Sequence, residues 1–182
     1  FGVLHVGGGY VENETMNIGQ FAGGVGAVVL REAPPSEPVP RINITKRLNV
    51  GLWGFGTVTQ TGGVFDVVDA RVGWKRGSAG SIVISAGRFE QNSQGDPNNR
   101  LWLGLSESQG GTGAASLVVI GAAPVIELDW LYMDKSSLNF VLEVDEYDTS
   151  TGTPPALLPS DLIAAINVEN EVNFGADTII DI

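Results

Sequence analysis

Residues 48–67 read LNVGLWGFGTVTQTGGVFDV, and residues 70–91 read ARVGWKRGSAGSIVISAGRFEQ. Both run apolar-x-apolar-Gly, a turn, an alternating strand, a small-residue turn and a second alternating strand. Gly51 and Gly73 are equivalent, 22 residues apart. A third copy opens with LWLG at Leu101 and continues through SLVVIGAAPVIEL to Leu128. Its Gly104 falls 31 residues after Gly73; a polar insertion over 92–100 and a longer turn over 106–113 take up the excess. A fourth opens with LYMD at Leu131 and continues as SSLNFVLEV, with Asp134 in the place of the glycine. Leu4-His5-Val6-Gly7 and Met16-Asn17-Ile18-Gly19 read as earlier openings, and 26–30 as a following strand. The stretch EAPPSEPVP over 32–40 is expected to lie outside the sheets, because proline cannot donate to a ladder.

Alternation shows which side chains point inward. Val58, Ile82 and Ile84 alternate with small or polar neighbours, and so do Leu138, Phe140, Leu142 and Val144. Period two means one buried face per strand. One such unit cannot bury its apolar face alone, and a stack of them can. The expected fold is therefore all-β: a right-handed parallel β-helix, or β-solenoid, of irregular coils of roughly 20–32 residues. An antiparallel β-sandwich built from the same strands is the alternative. The repeated glycine favours the solenoid, since stacked coils reuse one turn at one level. Val50, Val72, Leu103 and Met133 are then expected at equivalent inward positions. One domain spans 1–182, with excursions at 32–40 and in a polar, proline-rich loop at 145–160. Helical periodicity appears only over 157–166, with Ser160 as a candidate N-cap.

Composition narrows the function. The net charge of −11 argues against a nucleic-acid surface, which needs basic clusters. Only Lys46-Arg47 and Lys75-Arg76 form basic pairs. Cysteine is absent, which removes disulfides and thiolate metal sites from consideration. No run approaches the ~20 apolar residues of a membrane span, so no membrane insertion is expected. The opening at Phe1 has neither Met nor a basic n-region, which fits a processed chain or an excised fragment.

The stretch GTVTQTGGVFDV, residues 56–67, resembles the repeat of bacterial autotransporter-associated and PEP-CTERM-type surface proteins. That repeat reads roughly VG…G-T-hydrophobic-T-Q-T-G-G, coil after coil. Residues 48–51, 70–73 and 101–104 match its opening, and 81–87 and 116–121 are looser copies of its strand. SSLNFVLEV at 136–144, followed by INVENEVNFGADTIIDI, is similar to the closing segment of such passengers. The chain departs from the pattern in its proline-rich excursion and irregular spacings. The resemblance implies a secreted, parallel β-solenoid at a cell surface or in a matrix.

Candidate chemistry is sparse. His5 is the sole histidine, so a Ser-His-Asp triad would have to use it; an ordinary strand histidine is the plainer reading. Glu127 with Asp129, and Glu143 with Asp145, stand at i, i+2 and so on one strand face, as paired carboxylates for glycan cleavage would. Solvent-facing strand charge explains them as simply. The loop DEYDTSTG offers Asp145, Glu146 and Asp148 as oxygen ligands for Ca²⁺, without EF-hand spacing. Beyond that candidate no cofactor or metal is expected. Trp53, Trp74, Trp102 and Trp130 recur near the openings, as a sugar-stacking ladder or as packing groups.

The expected role is a non-enzymatic structural subunit of an extracellular fibre, sheath or matrix. Its expected partner is a second copy of itself, joined head to tail through terminal strands. Phe1, Val3, Leu4 and Val6 at one end, and Phe174, Thr178, Ile179, Ile180 and Ile182 at the other, are the expected polymer interface. The alternative is a surface module that binds or cleaves extracellular polysaccharide.

Overall fold

Short alternating runs broken by glycine favour strands, and the described residues of the computed structural model form twelve of them. It describes residues 1–91, 99–104, 113–121, 123–141, 166–174 and 178–181. The strands are β1 (Gly2–Val6), β2 (Tyr10–Ile18), β3 (Val25–Leu30), β4 (Arg41–Val50), β5 (Phe55–Val72) and β6 (Ala79–Glu90). They continue as β7 (Arg100–Leu103), β8 (Ala114–Ile120), β9 (Val125–Met133), β10 (Ser136–Val141), β11 (Ile166–Phe174) and β12 (Ile179–Asp181). The all-β class is as expected.

Every pairing among the described residues is parallel, which rules out the antiparallel sandwich. Hairpins need tight turns between consecutive strands. Here each strand pairs instead with the equivalent stretch one unit away. Counted as whole strands, β5, β6, β9 and β7 close a ring of four parallel pairings. That closed parallel barrel is not by itself a solenoid.

Followed residue by residue, the pairings resolve into three ladders, because the long strands each contribute to more than one. The first joins β1, β3, residues 55–60 of β5, residues 79–84 of β6, β8, β10 and β12. The second joins 10–13, 41–44, 64–67, 88–90, 125–128 and 166–168. The third joins 15–18, 47–50, 69–72, 100–103, 130–133 and 171–174. Between the second and third, the register shifts at Ile44/Arg47 in the β4–β5 pair and at Val168/Glu171 in the β11–β9 pair. An extra residue there bends the chain from one ladder into the next.

Inward side chains of all three ladders meet in a single apolar core. Val50, Val72, Leu103 and Met133 are register partners in one column, all within 2% of complete burial. Phe65 and Phe89 stack in a column of the second ladder, ring centroids 5.7 Å apart. Gln60 takes an inward position between Leu30 and Ile84, where its amide donates to the carbonyls of Gly63 and Arg88.

The opening glycine has a specific cause. Gly51, Gly73 and Gly104 all have left-handed φ, of 71°, 62° and 72°. A Cβ at these positions would overlap the carbonyls of Ala79, Ala114 and Asp134 in the neighbouring unit. Their amides continue the ladder, Gly73 donating to Val50 and Gly104 to Val72. Where Asp134 replaces the glycine, Lys135 takes the left-handed backbone, with φ 48°.

One expected opening is corrected. Met16-Asn17-Ile18 pairs with Leu48-Asn49-Val50 in the third ladder, as an opening should. Leu4-His5-Val6 pairs with Val28-Val29-Leu30 in the first ladder instead. Alternation alone does not say which ladder a strand joins. Residues 32–40 carry no strand, as expected of their prolines. The helix expected over 157–166 lies outside the described residues except for Ile166, which opens β11.

Candidate functional site

The second ladder turns a lattice of opposite charges outward. Arg41 lies 2.7 Å from Asp66 and 3.2 Å from Glu90. Arg88 reaches Glu90 at 2.7 Å and also Glu127. The bond to Asp66 holds the Arg41 guanidinium above its usual range, and the bond to Glu127 does the same for Arg88. Parallel registry brings these charges together, with residues 25 to 49 apart in sequence becoming neighbours.

The expected Glu127–Asp129 pair is not on one face. Glu127 points outward to Arg88, whereas Asp129 is buried at the corner between the second and third ladders. Its carboxylate accepts from the Asn99 amide at 2.8 Å, and its backbone amide donates to Gln91 at 3.0 Å. The chain bend at the corner breaks the period-two rule that placed both carboxylates together. Asp129 is a corner clamp. Glu143, Asp145, Glu146 and Asp148 lie outside the described residues, and with them the calcium candidate. Among the described residues no three His, Asp or Glu gather as metal ligands. His5 is exposed on β1, opposite Val29.

Aromatic side chains collect on the third ladder's outer face. Trp102 and Tyr132 are register partners with stacked rings, centroids 4.4 Å apart at 18°. Trp74 meets Trp102 edge-on at 6.2 Å, and Trp130 lies nearly parallel to Tyr132. The Arg71 guanidinium sits 4.0 Å over the Trp74 ring, and Lys75 lies 5.5 Å over Trp53. A sugar-stacking ladder needs free ring faces. Here Trp102 and Tyr132 turn one face each to one another across two units, and Trp74 turns one to Arg71 of its own unit. Trp53 alone of the tryptophans is more than half exposed.

The expected polymer-interface residues lie at opposite ends of the ladders. At one end, Phe1, Val3 and Leu4 are exposed and Val6 is buried. At the other, Phe174, Ile179 and Ile180 are exposed, and the Thr178 hydroxyl donates to the Met133 carbonyl at 3.3 Å. Ile182 lies outside the described residues. Leu4, Phe174 and Ile180 occupy inward register, beside Val28, Met133 and Leu138. Among the described residues no further strand pairs beyond theirs. Among the described residues β1 and β2 pair on one edge only, as do β11 and β12.

Two features were not foreseen. One is the charge lattice, whose signal was the alternation Arg41, Asn43 and Asp66, Arg88, Glu90 in equivalent strands. The other is the uncharged middle of the first ladder's outer face, between His5 at one end and Asp181 at the other, which shows only when the right segments are lined up. No family model matches the chain, and neither a curated protein nor a solved structure matches it. The resemblance of residues 56–67 to autotransporter-type repeats therefore stands on those residues alone.

Proposed function

We propose that the chain is a right-handed parallel β-solenoid that serves as a non-enzymatic structural unit of an extracellular fibre, sheath or surface matrix. Neighbouring units join end to end, each adding its terminal strands to the next ladder. The observation that carries this reading is the uncovered apolar register at both ends. Leu4 at one end and Phe174 and Ile180 at the other continue buried columns yet are exposed. Their strands also leave one row of backbone donors and acceptors unpaired among the described residues. Such an edge is a template for another strand. The contact would join two different surfaces, so it need not close into a ring. Secretion and a bacterial surface location rest on the repeat resemblance. A further length of the same chain would satisfy the same edges, and the experiment separates the cases.

Negative-stain microscopy of the 182-residue chain is expected to show filaments. Deleting residues 178–182 is expected to shorten or abolish them while leaving the circular dichroism of the sheet intact. Monomers at high concentration, or normal filaments from the truncated chain, overturn end-to-end joining. Monomers would favour the second reading, a polysaccharide-binding surface module, for which the exposed Trp53 beside Lys75 is the supporting observation. That reading expects glycan binding lost in Trp53→Ala.

A further inference from the structure

The first ladder's outer face differs from the other two. Its stretches 25–30, 55–60, 79–84, 114–120 and 136–141 contain no Asp, Glu, Lys or Arg. The chain as a whole has 21 acidic and 10 basic residues. One outward column runs Ala27, Thr57, Ser81, Ser116 and Ser137. Its neighbour runs Val29, Thr59, Val83, Val118 and Asn139, with His5 before it and Asp181 after it at the ladder's two ends. Ser116 donates to Ser81 at 2.9 Å, linking two hydroxyls of the column. Side chains this small leave a shallow groove of about 340 Å³, lined by Phe55, Thr57, Ala79, Ser81, Ala114 and Ser116. Phe55 stands at its rim, 51% exposed, in register with Ala79 and, through it, Ala114.

We propose that this face pairs with the same face of a second copy, the Phe55 ring of each seating in the hollow above Ala79 and Ala114 of the other. Three observations select a second copy as the occupant. Two molecules of net charge −11 repel, and the middle five strands of the first ladder are where they can meet without burying charge. Both faces have the same strand spacing of about 4.8 Å, so their rows interdigitate as sheets do in a sandwich. The knob and the hollow lie on one surface, which is what a two-fold, isologous contact requires. Five strands by six residues cover roughly 24 by 20 Å, or on the order of 1,000 Å² for both partners, which is just enough for a specific association. This contact is lateral and independent of end-to-end joining.

Sedimentation equilibrium across a concentration series tests it. The wild type is expected to dimerise, and Ser81→Arg, which places two like charges at the centre of the contact, is expected to weaken the dimer at least tenfold. Phe55→Ala is expected to weaken it less. Asn43→Arg, on the second ladder's outer face, is expected to leave it unchanged. Unaltered circular dichroism confirms that each variant folds. Should filaments form as well, mass per length is expected to halve in Ser81→Arg, while deletion of 178–182 shortens filaments without halving it. A wild type with no lateral association, or a Ser81→Arg variant that pairs as tightly as wild type, overturns the proposal whatever becomes of the filaments.

Discussion

The inside and the outside of the second ladder are made from the same strands. Inward, Phe65 and Phe89 are buried and packed together, their rings tilted at 31°. Outward, Arg41, Arg88, Glu90 and Glu127 form close ion pairs, with their side chains in part open to water. Desolvated apolar area stabilises strongly, whereas charges that stay hydrated gain little by pairing. The stack is held from within, and its outer faces are free to specialise. One carries the charge lattice, one carries stacked rings beside the Arg47–Asp69–Arg71 ion pairs, and the middle of the first ladder carries neither.

The largest effect is expected from the inside. Phe65→Ala removes a ring from a filled column and should cost about 3–5 kcal/mol, read as a lowered midpoint in urea. A loss under about 1 kcal/mol would mean that the column is not packed as described.

The corners come next. Gly73→Ala forces a side chain onto left-handed backbone and against the Ala114 carbonyl. Gly77 has φ 80° but open space around it, so Gly77→Ala carries the backbone strain alone, about 1–2 kcal/mol. Thermal unfolding should rank Gly73→Ala clearly below Gly77→Ala. Equal losses would break the link between the opening glycine and contact with the next unit. The reverse change, Lys135→Gly, relieves a left-handed lysine and should stabilise by about 1 kcal/mol.

The outside is expected to matter least. Arg88→Gln removes two ion pairs of an exposed guanidinium and should lower the urea midpoint far less than Phe65→Ala does. Added salt should shrink that difference further, because exposed charges are screened. A loss comparable to Phe65→Ala would invert the comparison.

Much of this was legible in the sequence. The triplet-glycine openings marked the third ladder, because the left-handed corner admits almost nothing but glycine and so leaves a repeated signature. Val50, Val72, Leu103 and Met133 could be aligned on it. Period two, by contrast, is common to all three ladders, which is why Leu4–Val6 was assigned to the wrong one. Corners break the alternation, so Glu127 and Asp129 read as one face when one is outside and the other is a buried clamp. The uncharged middle of the first ladder's outer face was hidden for a related reason. Its members come from five segments far apart in sequence, and only the pairing register lines them up. The stacking of Trp102 on Tyr132 depends on the same register, which sets residues 30 apart side by side.

Register is the premise of the end-to-end and lateral proposals alike, and the absence of cysteine lets it be measured without background. Asn49 and Arg71 face each other outward across the third ladder. Neighbouring strands lie about 4.8 Å apart, within the Cα separation a disulfide accepts. Asn49→Cys with Arg71→Cys should therefore close an intramolecular disulfide under mild oxidation, seen by mass spectrometry. Asn49→Cys with Ala70→Cys, one residue out of register and facing inward, should stay reduced. Closure of the second pair in preference to the first would contradict the in-register parallel stack.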